Sequence, residues 1–130
     1  MSIKVTILGC GSSGGVPRVG FGWGDCDPMN KKNRRTRCSL LVERKVGSEK
    51  VSVLIDTGPD IRQQMLSANV QSLDAILYTH HHADHVHGID DLRTLAYKQR
   101  TKIPVWADIS TQKRLNEAFG YIFSTPRDSK

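Results

Sequence analysis

All five histidines of this chain fall within residues 80–87, and a mostly apolar run, Asp74-Ala75-Ile76-Leu77-Tyr78-Thr79, leads directly into them. That run is too short for a helix and has the composition of a buried strand. The fold must therefore be a sheet in which one strand is covered and its end opens onto a polar site. Neutral imidazole is a common ligand for zinc and related metals, and a turn leaving a strand can aim several such rings at one point. Asp84 interrupts the cluster and adds a carboxylate. An exposed polar loop or an expression tag would not follow a buried strand in this way, so a metal-binding segment is expected.

The remaining pattern supplies the layers. Ile3, Val5 and Ile7 alternate with Lys4 and Thr6, which predicts a strand with one buried face that ends at Gly9. Residues 9–27 hold seven glycines and Pro17 with no periodic apolar pattern, which predicts a long irregular loop. Loops of that length in a compact domain are usually functional or disordered. Two further strands are expected over residues 38–44 and 51–56, joined through the turn residues Gly47-Ser48. Thr57-Gly58-Pro59-Asp60 reads as the start of a helix running to about Ala68. Leu92, Leu95 and Ala96 have helical spacing, residues 103–107 read as a short strand, and Leu115 with Phe119 marks a last helix from near Ser110 that Gly120 would stop. The result is an α/β layered domain without internal repeat or low-complexity tract.

Composition narrows the classes. With 130 residues, 38% hydrophobic and 25% charged, the chain has room for one globular domain. No apolar stretch approaches the roughly 18 residues needed to span a bilayer, and the first residues lack the architecture of a secretory signal, so a cytoplasmic protein with no membrane partner is expected. Cys10, Cys26 and Cys38 are odd in number and lack close spacing, which predicts reduced thiols. The net charge of +6 is N-terminal: residues 1–50 carry ten basic and four acidic groups, residues 51–130 nine of each. Residues 31–37 hold five of those cations, either a solvated loop or a local field that draws in phosphate-bearing ligands. Gly9-Cys10-Gly11-Ser12-Ser13-Gly14 satisfies G-x-G-x-x-G after a strand, but Pro17, Gly20, Gly22 and Gly24 forbid the helix a dinucleotide site requires. Its glycines instead let backbone approach a metal site or a phosphate. There is no G-K-[ST], hence no P-loop.

Within the histidine cluster, His80, His82, Asp84 and His85 fit H-x-H-x-D-H, and here the sequence resembles the metallo-β-lactamase superfamily. The resemblance implies the first half of an αββα sandwich, a mixed sheet with helices on one face, spanning residues 1–130. It also implies two divalent metal ions, His80 and His82 on one, Asp84 and His85 on the other, with His81 and His87 at free positions. Leu54-Ile55-Asp56-Thr57-Gly58 resembles the family's strand ending in Asp-x-Gly. Asp56 would then orient the ligands by hydrogen bonding and share the reaction centre with Asp84; the alternative reading of Asp56 is a carboxylate that simply starts the following helix.

Gly11-Ser12-Ser13-Gly14-Gly15-Val16-Pro17, Asn33-Arg34-Arg35-Thr36-Arg37-Cys38-Ser39 and Gly88-Ile89-Asp90-Asp91-Leu92-Arg93 resemble the branch of phosphodiesterases acting on phosphoribosyl 1,2-cyclic phosphate. By that resemblance the substrate is a small cyclic phosphate or nucleotide-like ester, attacked by a water whose pKa the metals lower to about 7. Arg34, Arg35 or Arg37, with the loop of Ser12 and Ser13 to Gly15, would add charge-assisted contacts to its phosphate. Zinc suits the imidazole ligands; manganese or iron would suit an oxygen-richer site. Nucleic acid is not expected as a partner, because few aromatics accompany Trp23. Two departures stand out: a single cysteine, Cys26, occurs where the branch often holds a structural zinc with several, and no histidine follows His87, whereas the second half of the family fold supplies further ligands. The expected chain is thus either part of a metal-dependent hydrolase or a catalytically incomplete metal- or nucleotide-binding fragment, with an apolar sheet face to be covered by a missing C-terminal half or by a second copy.

Overall fold

The computed structural model describes residues 1–124. Five strands form one mixed sheet in sequence order: β1 (Ser2–Gly9), β2 (Ser39–Val46), β3 (Glu49–Ile55), β4 (Ala75–Leu77) and β5 (Val105–Trp106). β1–β2 and β2–β3 are antiparallel, whereas β3–β4 and β4–β5 are parallel. The β2–β3 hairpin closes through Gly47 and Ser48, and Gly47 takes the positive φ of 58° that such a tight turn needs. Parallel neighbours need crossovers. Helix α1 (Ile61–Ser67) carries the chain from β3 to β4, and α2 (Ala83–Val86) with α3 (Arg93–Gln99) carries it from β4 to β5. Helix α4 (Ile109–Phe123) follows, capped by Asp108, whose Oδ1 accepts from Thr111 N at 2.8 Å. Among the described residues no helix is long and apolar enough to cross a membrane.

The core lies on one face only. Leu41 pairs with Leu54 and Leu54 with Ile76, so these residues share that face; Ile61, Val86, Ile89, Leu92 and Leu115 from the helical segments bury against them. The opposite face carries Ile3, Val5, Ile7, Val42, Val51, Val53, Leu77 and Trp106, placed together by the same registers. Among the described residues nothing covers it: Ile7 is 68% exposed and Trp106 64%.

One expectation is corrected here. The alternation in β1 was expected to bury Ile3, Val5 and Ile7, yet these are the exposed residues, because the helices sit on the Thr6 and Leu8 side. Helical geometry breaks at Phe119 (φ −132°, ψ 29°), directly before Gly120 where the sequence places the stop, and a short helical segment continues to Phe123. Gly120 has nothing within 4 Å of where a Cβ would lie and no positive φ.

Leu54 is fully buried, and Leu54→Ala is expected to lower stability by about 2–5 kcal/mol through lost contacts and a cavity. Ile7→Thr, on the uncovered face, is expected to shift it by no more than about 0.5 kcal/mol. Urea unfolding of the two variants checks the contrast.

Candidate metal centre

Because β3 and β4 are parallel neighbours, the segments leaving their C-terminal ends emerge side by side, the usual place for a ligand site in such sheets. Asp56 follows β3; Tyr78, Thr79 and His80 follow β4. Asp56 is buried and adopts φ 61°, a left-handed conformation uncommon outside glycine that costs on the order of 1–3 kcal/mol. Neighbouring segments hold it there. Asp56 N donates to Leu77 O at 2.9 Å, Ser39 Oγ donates to Asp56 O at 2.9 Å, and Thr57 N donates to His85 O at 2.8 Å. Gly88 N donates to Thr57 O at 2.8 Å, and the buried hydroxyls of Thr57 and Tyr78 pair at 2.6 Å. Burial raises the Tyr78 pKa, so this pair stays neutral. Gly58 and Gly88 are required by close approach, since a Cβ on either would collide with backbone, Asp84 O in the first case and Gly58 O in the second.

This backbone aims the Asp56 carboxylate at the histidine segment. Its Oδ1 accepts from Thr79 N at 2.8 Å, and its Oδ2 accepts from Thr79 Oγ1 at 2.7 Å and faces His85 Nδ1 at 2.7 Å. Asp56 therefore orients the cluster, and it does not serve as the side-chain cap of α1. His80, His82 and His85 pack together, with ring centroids 4.5 Å apart for His80–His82 and 4.2 Å for His80–His85. Asp84 and His85 lie on the short helix α2 rather than on an open bend, and His82 is its N-cap residue. His87 leaves the cluster to meet the Phe119 ring edge-on, centroids 5.8 Å apart. A pocket of about 460 Å³ opens beside His82 and His87 towards Arg114 and Phe119 of α4.

The donor chemistry fits a divalent cation. His85 Nδ1 faces one carboxylate, and its Nε2 lies 3.2 Å from Oδ2 of another, Asp84. A carboxylate only accepts, so a neutral His85 that donates from Nδ1 sets two lone pairs against each other at Nε2 and Asp84 Oδ2. That juxtaposition calls for a positive charge, either a proton or a metal ion. No three His, Cys, Asp or Glu side chains among the described residues form a ready-made cage, so the four expected ligands are gathered without being closed around one point.

The expected substrate contacts lie on the loop between β1 and β2. Ser12 and Ser13 are exposed on a turn closed by Gly15 N donating to Ser12 O at 2.8 Å. The loop is pinned to residues 35–37, with Gly11 N on Thr36 O at 2.7 Å and reciprocal Val16–Arg35 bonds at 2.9 Å. Arg34 stacks over Trp23 at 5.2 Å and keeps its guanidinium at the surface. Arg37 differs from expectation: Nε donates to Asp60 Oδ2 at 2.8 Å and Nη2 to Oδ1 at 2.7 Å, so this edge of its fork is closed to a phosphate. Its backbone N–H also donates to Asp60, at 2.9 Å. Cys10, Cys26 and Cys38 are free thiols. Sequence reasoning missed Thr79, Asp60 and the buried Thr57–Tyr78 pair; only the position of Thr79 immediately before His80 offered a hint.

In comparisons with known proteins, the family described as "Beta-lactamase superfamily domain" matches residues 52–129. The chain belongs to this superfamily. It is similar to a crystal structure described as a new diphosphatase from the PhnP family, with 40% identity and a TM-score of 0.83 over 95% of this chain and 48% of that one. Zn²⁺-bound PqqB from Methylobacterium extorquens shares the fold at 23% identity and a TM-score of 0.68, over 89% of this chain and 40% of that one. A protein of Porphyromonas gingivalis named octanoyltransferase is 40% identical over 121 residues, 93% of this chain but 24% of the relative. The chain thus spans about half the length of the first structural relative and a quarter of the curated one.

The Arg37 guanidinium, by its hydrogen bonds, holds the Asp60 carboxyl below the ordinary aspartate range. The stabilisation is present above the unfolded-state value near 3.8 and is lost as pH falls through the lower folded value. Asp60→Asn is expected to be less stable at neutral pH and to lack this part of the acid-induced loss, as thermal melts between pH 2 and pH 7 will read.

Proposed function

We propose that this chain provides metal-binding and substrate-binding elements of a metal-dependent hydrolase that cleaves a phosphodiester, either a small cyclic phosphate or a nucleotide-like ester. The observation that carries this reading is the gathering of His80, His82 and His85 beside Asp84, oriented by Asp56. The likeness to a PhnP-family diphosphatase at 40% identity supports phosphate-ester chemistry. Two divalent cations, zinc by the preference of imidazole and otherwise manganese or iron, would be held by His80 and His82 and by Asp84 and His85. When bound, they supply Lewis acidity and lower the pKa of water to about 7.

The chain's own residues do the rest. Asp56 fixes the direction of the ligand rings, and Ser12, Ser13 and Arg34, which are exposed, would contact the phosphate or the group it carries. Arg37 supports them indirectly by tying the loop to Asp60 at the start of α1. The ligand set is left open, and the sheet face of Ile3, Val5, Ile7 and Trp106 is left bare. Both features favour a catalytic unit completed by a second sheet, with this chain alone acting as an incomplete cation-binding unit. Its expected setting is the cytoplasm, where the three thiols stay reduced.

In the complete protein, His82→Ala is expected to abolish Zn²⁺- or Mn²⁺-dependent hydrolysis of an aryl phosphodiester, a loss of at least about 100-fold, with the circular dichroism spectrum preserved. Undiminished turnover would refute the ligand role of His82. The 130-residue chain alone is expected to bind the cation weakly and not to turn over.

A further inference from the structure

We infer that Thr79 is a positioning residue: its hydroxyl relays the Asp56 carboxylate to His80, so that one carboxylate oxygen sets the tautomer of two imidazoles assigned to different cations. The inference deepens the reading of His80 and His85 as metal ligands.

The argument follows the protons. Thr79 Oγ1 has a single hydrogen, and Asp56 Oδ2, which accepts only, lies 2.7 Å from it. That hydrogen is committed to Asp56. Thr79 Oγ1 also lies 2.9 Å from His80 Nδ1, and towards that ring it can only accept. His80 must therefore carry its hydrogen on Nδ1, which leaves the Nε2 lone pair free. The same Asp56 Oδ2 lies 2.7 Å from His85 Nδ1, whereas Asp84 Oδ2 lies 3.2 Å from His85 Nε2; of these two accept-only carboxylates the nearer one claims the single hydrogen of the neutral ring, which puts it on Nδ1. His85 is governed directly and His80 through one hydroxyl. Both rings then present Nε2 as the donor atom before any cation arrives, the arrangement that outer hydrogen-bond partners commonly impose on metal-binding histidines.

Geometry fixes Thr79 in this duty. Its backbone N–H donates to Asp56 Oδ1 at 2.8 Å, so N–H and O–H grip the two oxygens of one carboxylate and hold the hydroxyl lone pairs towards His80. Asp56 cannot turn away, because its left-handed backbone is tied to Ser39 and Leu77. Valine at position 79 would keep the shape and the backbone bond while removing the relay; serine would keep the relay.

The test is imidazole ¹⁵N NMR on the metal-free protein above the pH at which its histidines lose their charge, followed by Zn²⁺ titration calorimetry. In the wild type, His80 and His85 are both expected as Nδ1–H tautomers; a His80 that carries its hydrogen on Nε2 overturns the inference without any variant. In Thr79→Val, His80 is expected to shift to a mixture or to Nε2–H while His85 is unchanged, with Zn²⁺ affinity reduced about 10-fold. Thr79→Ser is expected to restore both. An unchanged His80 in Thr79→Val overturns the relay, and a parallel change of both rings shows that Thr79 merely supports the local fold. Because the tautomers are read before metal is added, a failure here is distinct from a failure of the phosphodiesterase reading, which only the turnover assay addresses.

Discussion

The arrangement depends on a buried carboxylate held in an unfavourable backbone conformation. Asp56 sits where two parallel strands end, in a left-handed turn whose cost of about 1–3 kcal/mol is offset by hydrogen bonds with β2, β4 and the histidine segment. The same turn points both carboxylate oxygens at the chain after β4, so strain and function have one origin. Gly58 and Gly88 belong to this device, since only glycine lets the segments after β3 and after α2 approach closely enough to exchange backbone hydrogen bonds. A methyl group at either position would push the histidine segment off the Asp56 carboxylate.

The sheet explains a second property. Helices bury the Leu41, Leu54 and Ile76 face, and the other face is just as apolar, as in a sheet made to lie between helices and a second sheet. Sheet pairs pack about 10 Å apart with side chains interdigitating, and the exposed Ile3, Val5, Ile7 and Trp106 supply half of such a layer. The described elements gather potential ligand atoms beyond the C-terminal ends of β3 and β4 and present an apolar surface on one face of the sheet.

Much of this was legible in the sequence. The hairpin turn at Gly47-Ser48, the strand leading to His80 and the order of helices and strands followed from periodicity and turn chemistry, because local sterics decide them. The histidine cluster was legible because ligands on one turn are close in sequence. The burial of β1 was not, since Ile3, Val5 and Ile7 alternate in the same way whether helices or a second sheet cover them. The break in α4 at Phe119 was legible in Gly120, though the helical segment that follows it to Phe123 was not. The pairing of Arg37 with Asp60, 23 residues apart, was invisible for the same reason that any long-range ion pair is: nothing in either residue names its partner.

The sequence by itself determined which chemistry is available, namely imidazoles with a carboxylate at a strand end, glycines for close approach and a basic loop before β2. Those are properties of residue type and spacing, which survive without a fold. Only the tertiary structure decided which groups meet. Asp56 reaches Thr79 and His85 because β3 and β4 are parallel neighbours, and Arg37 turns to Asp60 instead of solvent because the loop is pinned to α1. Hydrogen bonds and close contacts act over a few ångströms, and distance in space between residues far apart in the chain is set by packing alone.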